Sequence, residues 1–265
     1  MKPALFVMRE AGMQADKLLT KIAGRYKAIL GENLVGIYVH GSLAFGCYNP
    51  KSSDIDFLAV TEAEPALAQK EDMIRLLLEL TPCAPKKGFE MSGVLLQDCC
   101  VFRYPTPYWL HYSKAYHARC LEDLSAHCRS VRGTDPDLAA HFTVVRQVGY
   151  PVYGPPAEQV FAPVPREAYL DSLRLDIEDA AKQMEREPVY ITLNLCRVAA
   201  YLEGGGVLSK AQGTEWGRQN LPAPCGTLAE AAGRAYASGA AWQPGEEEAR
   251  AFCTYMEKRM KTAGF

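Results

Sequence analysis

The sequence predicts an α+β fold: an N-terminal domain on a mixed β-sheet, followed by a C-terminal α-helical bundle. Three observations predict it. Short β-branched and aromatic runs at Val35–Val39, Asp54–Val60 and Phe89–Gln97 alternate with amphipathic stretches in the first half. A glycine- and proline-dense run, Gly149-Tyr150-Pro151-Val152-Tyr153-Gly154-Pro155-Pro156, then interrupts the chain. After it, strand patterns are nearly absent and five helical stretches follow. Residues 1–155 are therefore expected to form the first domain and 156–265 the second.

The elements follow in order. Leu18, Leu19, Ile22, Ala23, Tyr26 and Ile29 recur at helical spacing, so Met13–Leu30 reads as a helix stopped at Gly31. Val35–Val39 is the first strand, closed by a tight turn at Gly41-Ser42. An irregular loop with Asn49-Pro50 and Ser52-Ser53 leads to the second strand, Asp54–Val60. Glu62–Leu80 reads as a helix with Pro65 in its first turn. A loop at Thr81–Gly88 precedes the third strand, FEMSGVLLQ. Phe102–Glu122 is dense in aromatics, for which core packing is the default. His111 and His117 in it lack ligand spacing and read as structural or surface residues. Asp135-Pro136-Asp137 opens a helix with body Leu138–Val148. Beyond the break, Arg166–Arg186, Val189–Leu202, Lys210–Asn220, Thr227–Ala237 and Glu246–Lys261 read as helices.

The chemistry concentrates in VGIYVHGSLAFGCYNPKSSDIDFLAV, residues 35–60. Side chains alternate along a strand, so Asp54 and Asp56 share one face while Ile55 and Phe57 face the core. Like charges that close are costly unless a cation lies between them, and Mg²⁺ removes the cost. Mg²⁺ needs only one or two protein carboxylates when substrate phosphates supply the rest. Upstream, Gly41 permits close backbone approach, and Ser42 can donate to a phosphate oxygen. Alone, a D-x-D is an edge guard and a Gly-Ser a turn. In this order on adjacent strands they form a nucleotide-and-metal layout. Glu90, near the start of the third strand, completes a three-carboxylate cluster if that strand neighbours the second. Otherwise it faces water at a sheet edge.

Composition narrows the function. Twenty-nine basic against 31 acidic residues give a net charge of −2 and no basic tail, which argues against a nucleic-acid partner. Nine scattered cysteines without a C-x-x-C pair argue against a disulfide framework or a zinc site. Reduced core cysteines fit a cytoplasmic protein. The N-terminal segment is too interrupted for a signal peptide, and no apolar run reaches the ~18 residues of a membrane span.

The GS…DID pattern resembles the signature of the polymerase-β-like nucleotidyltransferase superfamily. That resemblance implies Asp54 and Asp56 as metal ligands, with Gly41, Ser42 and Ser53 at the nucleotide. It then sharpens over VYGPPAEQVFAPVP, ITLNLCRVAAYLEGGGVLSKAQGTEWGRQNLP and RAYASG. These are similar to the aminoglycoside (3″)(9) adenylyltransferase family, which modifies streptomycin and spectinomycin. Matched motif by motif, Glu90 falls on the catalytic base and third metal ligand. Arg197 of N-L-C-R and Lys210 of L-S-K fall on phosphate-holding residues, and Tyr236 of R-A-Y on a nucleotide-contacting tyrosine.

The resemblance implies transfer of AMP from ATP, with two Mg²⁺, to a hydroxyl of an aminocyclitol antibiotic, giving resistance. Glu90, Tyr116, Asp135 and Glu187, with Asp137, are the residues expected to meet that cationic acceptor. One departure bears on its identity. Streptomycin-binding members use a tryptophan after the third strand, where this chain has Tyr112-Ser113-Lys114-Ala115-Tyr116-His117. Spectinomycin is therefore favoured over streptomycin. The alternatives are a transferase for another small hydroxylated acceptor and a non-catalytic nucleotide-binding regulator of the same fold. The chain is expected to act as a monomer, away from membranes and nucleic acid.

Overall fold

The computed structural model describes residues 4–265, with side chains from Glu10 onward. The described residues divide into two compact units, 4–169 and 170–265. Among the described residues the first unit carries seven strands: β1 (Leu34–Val39), β2 (Ile55–Thr61), β3 (Phe89–Leu95), β4 (Thr106–Tyr108), β5 (Leu110–Tyr112), β6 (Gly133–Asp135) and β7 (Tyr150–Tyr153). Five form one mixed sheet in the order β5-β3-β2-β1-β7, with β2 and β3 parallel and the other neighbours antiparallel. β4 and β6 pair separately.

Both faces of the sheet are covered, which is why β1 and β2 read as near-continuous apolar runs. On one face Ile37, Val39, Ile55, Phe57, Ala59, Phe89 and Met91 pack with residues of helices α1 (Ala4–Leu30) and α2 (Leu67–Leu80). Leu19, Ile22 and Tyr26 supply the α1 stripe, and Met73, Ile74 and Leu77 that of α2. On the other face Tyr38, Leu58, Val60 and Val94 meet Leu138, Phe142 and Val145 of helix α3 (Leu138–Val148). Phe57 is fully buried in the first layer. Phe57→Ala is expected to cost about 3–5 kcal/mol, the range for emptying a buried phenylalanine site. The urea midpoint of unfolding reads it.

Several boundaries differ from the sequence expectation. The second helix begins at Leu67, so Pro65 precedes it. The reason is local: the Asn33 side chain bonds both the N–H and C=O of Ala63, at 2.9 and 3.0 Å, and holds that segment extended beside β1. β3 ends at Leu95, and Leu96–Cys100 turns into a helix. The glycine-proline run read as an interdomain crossing contains β7, which pairs with β1 at the sheet edge. An edge is where a strand tolerates Pro151, because the missing N–H need not join a ladder.

The second unit is helical. Its helices are α4 (Arg166–Asp176, entering from the first unit), α5 (Pro188–Gly204), α6 (Lys210–Asn220), α7 (Ala223–Ser238) and α8 (Glu246–Thr262), with a short turn at Ala180–Gln183. The stretch expected as one helix from 166 to 186 breaks after Asp176, and Asp179 takes the left-handed conformation at φ 55°. α5 is buried on most sides, as befits a central helix. Gly217 of α6 lets the neighbours close in, since a Cβ there would lie 2.8 Å from Ala229 and 2.9 Å from the Cys196 sulfur. Six of the nine cysteines are buried. Among the described residues no helix is long and apolar enough to cross a membrane.

Candidate active site

The parallel pairing of β2 and β3 builds the acidic centre. Its register sets Asp56 opposite Glu90 and Ile55 opposite Phe89. Opposed residues share a face, so the buried Ile55 and Phe89 turn one way and the two carboxylates the other. Asp54 precedes the strand by one residue and returns to the same face. One carboxylate oxygen from each of Asp54, Asp56 and Glu90 lies within 4.8 Å of the others, all three half-buried. Of the two readings of Glu90, the cluster is the one the geometry supports. The negative field is felt nearby: burial, then Asp54 and Asp56, push the Tyr48 phenol up to about 12.

The turn after β1 is pressed against this centre. The His40 N–H donates to the Asp56 carbonyl at 3.1 Å, and Gly41–Ala44 forms a single helical turn. Gly41 has φ +60°, and a Cβ on it would sit 1.9 Å from Asp56 Oδ2. Only glycine fits both the backbone and the space. The Ser42 hydroxyl is covered and has no hydrogen-bond partner. Ser53 is buried and accepts the Asn49 N–H at 3.2 Å, which shapes the loop before Asp54.

A histidine cluster that the sequence reading did not identify lies on the same face. His141 of α3 pairs with Asp137 one turn earlier, Nε2 to Oδ2 3.2 Å, and its ring centroid is 4.5 Å from that of His40. Burial opposes protonation of His141, yet Asp137, and then Glu90 and Asp135, outweigh it and raise the pKa to about 10. His40 shifts the other way, held well below its ordinary value by burial and by His141. His111 falls to about 4 through burial, His141 and His127, and its Nδ1 bonds the Ser92 hydroxyl at 2.9 Å. One imidazolium therefore stands beside the carboxylates. The Asp-x-x-x-His spacing at 137 and 141 was the available sequence signal. Tyr116 packs against His111 and His127 at 5.7 and 5.2 Å, and Asp135 accepts the Asp137 N–H at 2.9 Å.

Taken by itself, the helical unit holds a second charged group. Arg197 donates from Nε to the Leu208 carbonyl at 2.7 Å and from Nη1 to Asn194 Oδ1 at 2.8 Å. Gly213 leaves room for its stem, since a Cβ there would meet Arg197 Cγ at 2.8 Å. Lys210 begins α6, fixed by a capping box in which Ser209 Oγ accepts the Gln212 N–H and Gln212 Oε1 accepts the Ser209 N–H. Its Nζ lies 4.8 Å from the Tyr190 ring centroid and 5.8 Å from that of Tyr236. The structure thus groups Arg197, Lys210 and Tyr236. Glu187 is exposed at the start of α5. Asp176, with Tyr190 and Asn194, which both donate to it here, went unrecognised in the sequence.

Comparison with known proteins finds two family matches, one after the other along the chain. Residues 19–92 match the nucleotidyltransferase domain family, and residues 159–259 match the aminoglycoside adenylyltransferase C-terminal domain family. An aminoglycoside (3″)(9) adenylyltransferase of Escherichia coli is 26% identical over 224 residues, covering 82% of this chain and 83% of that one. A spectinomycin 9-adenylyltransferase of Staphylococcus aureus is 25% identical over 247 residues, covering 89% and 92%. The crystal structure of a spectinomycin adenyltransferase from Enterococcus faecialis with ATP and spectinomycin shares the fold. Its TM-score is 0.76 at 18% identity, covering 94% of this chain and 99% of that one. The chain therefore carries a nucleotidyltransferase domain, which holds the clustered acids, followed in sequence by a helical domain of the aminoglycoside adenylyltransferase C-terminal family.

Proposed function

We propose that the protein transfers AMP from ATP to a hydroxyl of an aminocyclitol antibiotic, spectinomycin rather than streptomycin, and so confers resistance. The observation that carries this reading is the convergence of Asp54, Asp56 and Glu90 within 4.8 Å. Three close carboxylates with no histidine or thiol among them suit a hard divalent cation. Asp54, Asp56 and Glu90 would hold Mg²⁺, which when bound offsets negative charge on the attacking and leaving oxygens. A regulator that only binds nucleotide has no use for this cluster, so the catalytic reading is favoured.

The residues then divide the work. Glu90 takes the proton of the acceptor hydroxyl. The freed oxygen forms a bond to the α-phosphorus, the bond from that phosphorus to the bridging oxygen of the β-phosphate breaks, and pyrophosphate leaves. Ser42, Arg197 and Lys210 offset charge on the phosphates, and Tyr236 contacts the nucleotide. Asp135, Asp137, Glu187 and Tyr116 meet the cationic acceptor. The loss of the family tryptophan near Tyr116 supports spectinomycin.

Product analysis tests the reading. Incubation with ATP, Mg²⁺ and spectinomycin is expected to yield a spectinomycin–AMP phosphodiester by mass spectrometry, and chelation by EDTA is expected to stop it. A product unchanged by EDTA removes the metal assignment. No adduct at all removes the acceptor.

A further inference from the structure

We propose that Asp176 is a positioning residue for the nucleotide phosphates, holding Arg197 through Asn194 and Lys210 through Tyr190. The inference rests on the reading of Arg197 and Lys210 as phosphate contacts. The Asp176 carboxylate accepts two short hydrogen bonds, from Tyr190 Oη to Oδ1 at 2.5 Å and from Asn194 Nδ2 to Oδ2 at 2.6 Å. Both partners are neutral donors to a charged acceptor, the stronger class of hydrogen bond. Each partner then acts on one cation.

Asn194 is 1% exposed, and the far end of its amide accepts Arg197 Nη1 at 2.8 Å. The Asp176 bond fixes which end of that amide faces Arg197. Arg197 Nε is held by the Leu208 carbonyl at 2.7 Å, so the guanidinium plane is set at two of its three nitrogens. Neither acceptor carries a charge, and among the described residues no carboxylate pairs with Arg197. A direct Asp–Arg pair would orient the cation and neutralise it together. Interposing Asn194 orients it and leaves the charge for an anion. The second arm runs through Tyr190, whose hydroxyl is tied to Asp176 and whose ring faces Lys210 Nζ at 4.8 Å.

The sign of one substitution separates positioning from charge. Removing a carboxylate near a polyanion site should by charge alone tighten ATP binding. Loss of positioning should weaken it. The test titrates Mg²⁺-ATP, and adenosine as the phosphate-free control, into wild type, Asp176→Ala, Arg197→Ala, Lys210→Ala and the Asp176→Ala/Arg197→Ala double variant, by calorimetry without acceptor. Asp176→Ala is expected to bind ATP about tenfold more weakly, the scale of a 1.4 kcal/mol change. Its adenosine affinity should stay within about twofold of wild type. In the double variant the further loss from Asp176→Ala should be smaller than in wild type, because one of its two arms is already gone. ATP affinity equal to or tighter than wild type in Asp176→Ala, with Arg197→Ala weakened, overturns the positioning role and leaves the phosphate contacts standing. Wild-type ATP affinity in both Arg197→Ala and Lys210→Ala overturns the contacts and the inference together. Should Asp176→Ala fail to fold, judged by thermal unfolding, Asp176→Asn carries the test. It keeps the shape with one acceptor and is expected to move in the same direction by less.

Discussion

Glu90→Gln is expected to lower kcat by about 10²–10⁴-fold, the usual cost of losing a general base. That is a barrier increase of about 3–5 kcal/mol. The substitution keeps size and shape in β3, so the sheet and the opposed Asp56 should be undisturbed. It removes the proton acceptor and one charge of the cluster. Measuring turnover over a range of Mg²⁺ concentrations separates these effects. A defect that persists at saturating Mg²⁺ belongs to proton transfer. A defect cured by Mg²⁺ makes Glu90 a ligand only. Wild-type turnover at every Mg²⁺ concentration removes Glu90 from the mechanism.

Gly41→Ala is expected to reduce turnover by about 10²-fold or more, although it adds one methyl group to a residue with no reacting atom. The new Cβ would fall 1.9 Å from Asp56 Oδ2 and 2.7 Å from its Cγ, so either the turn or the carboxylate must move by more than an ångström. A displacement of that size at a catalytic group costs about 10²-fold. Left-handed backbone adds about 1–2 kcal/mol against alanine. Gly31 supplies the control: its φ is +56°, but nothing lies within 4 Å of its Cβ position. Gly31→Ala should lose about the same 1–2 kcal/mol of stability and keep its turnover. Equal activity loss in both variants would assign the Gly41 effect to backbone strain rather than to Asp56.

How much of this was legible in the sequence depended on the range of the interaction. Asp54 and Asp56 were placed on one face by strand alternation alone, and Ile55 and Phe57 are buried as that alternation requires. Two helix bodies, the apolar-striped Leu138–Val148 and the mostly polar Lys210–Asn220, kept their expected limits. Glu90 stayed ambiguous because β2 and β3 are joined through a helix, and nothing local specifies which parallel strands become neighbours. β4, β5 and β6 have three residues each, too few for a period to register. The extent of α4 was misjudged because Asp179 adopts a left-handed conformation that the residue tolerates but does not announce. The same holds for the networks behind the site. Asp137 and His141 sit at helical spacing, but the approach of His40 comes from another strand end. Asp176 lies 14 residues from Tyr190 and 18 from Asn194, across a break in the helix.

Pyrophosphate release is the most direct test of base-assisted adenylyl transfer to an aminocyclitol. The assay compares spectinomycin, streptomycin and unrelated aminoglycosides with ATP and Mg²⁺, with Glu90→Gln as the control. The expected result is release with spectinomycin, little with streptomycin, and loss in Glu90→Gln. Release with neither antibiotic, from a protein that still binds ATP, would contradict the aminocyclitol acceptor and point to another small hydroxylated substrate or to a regulator.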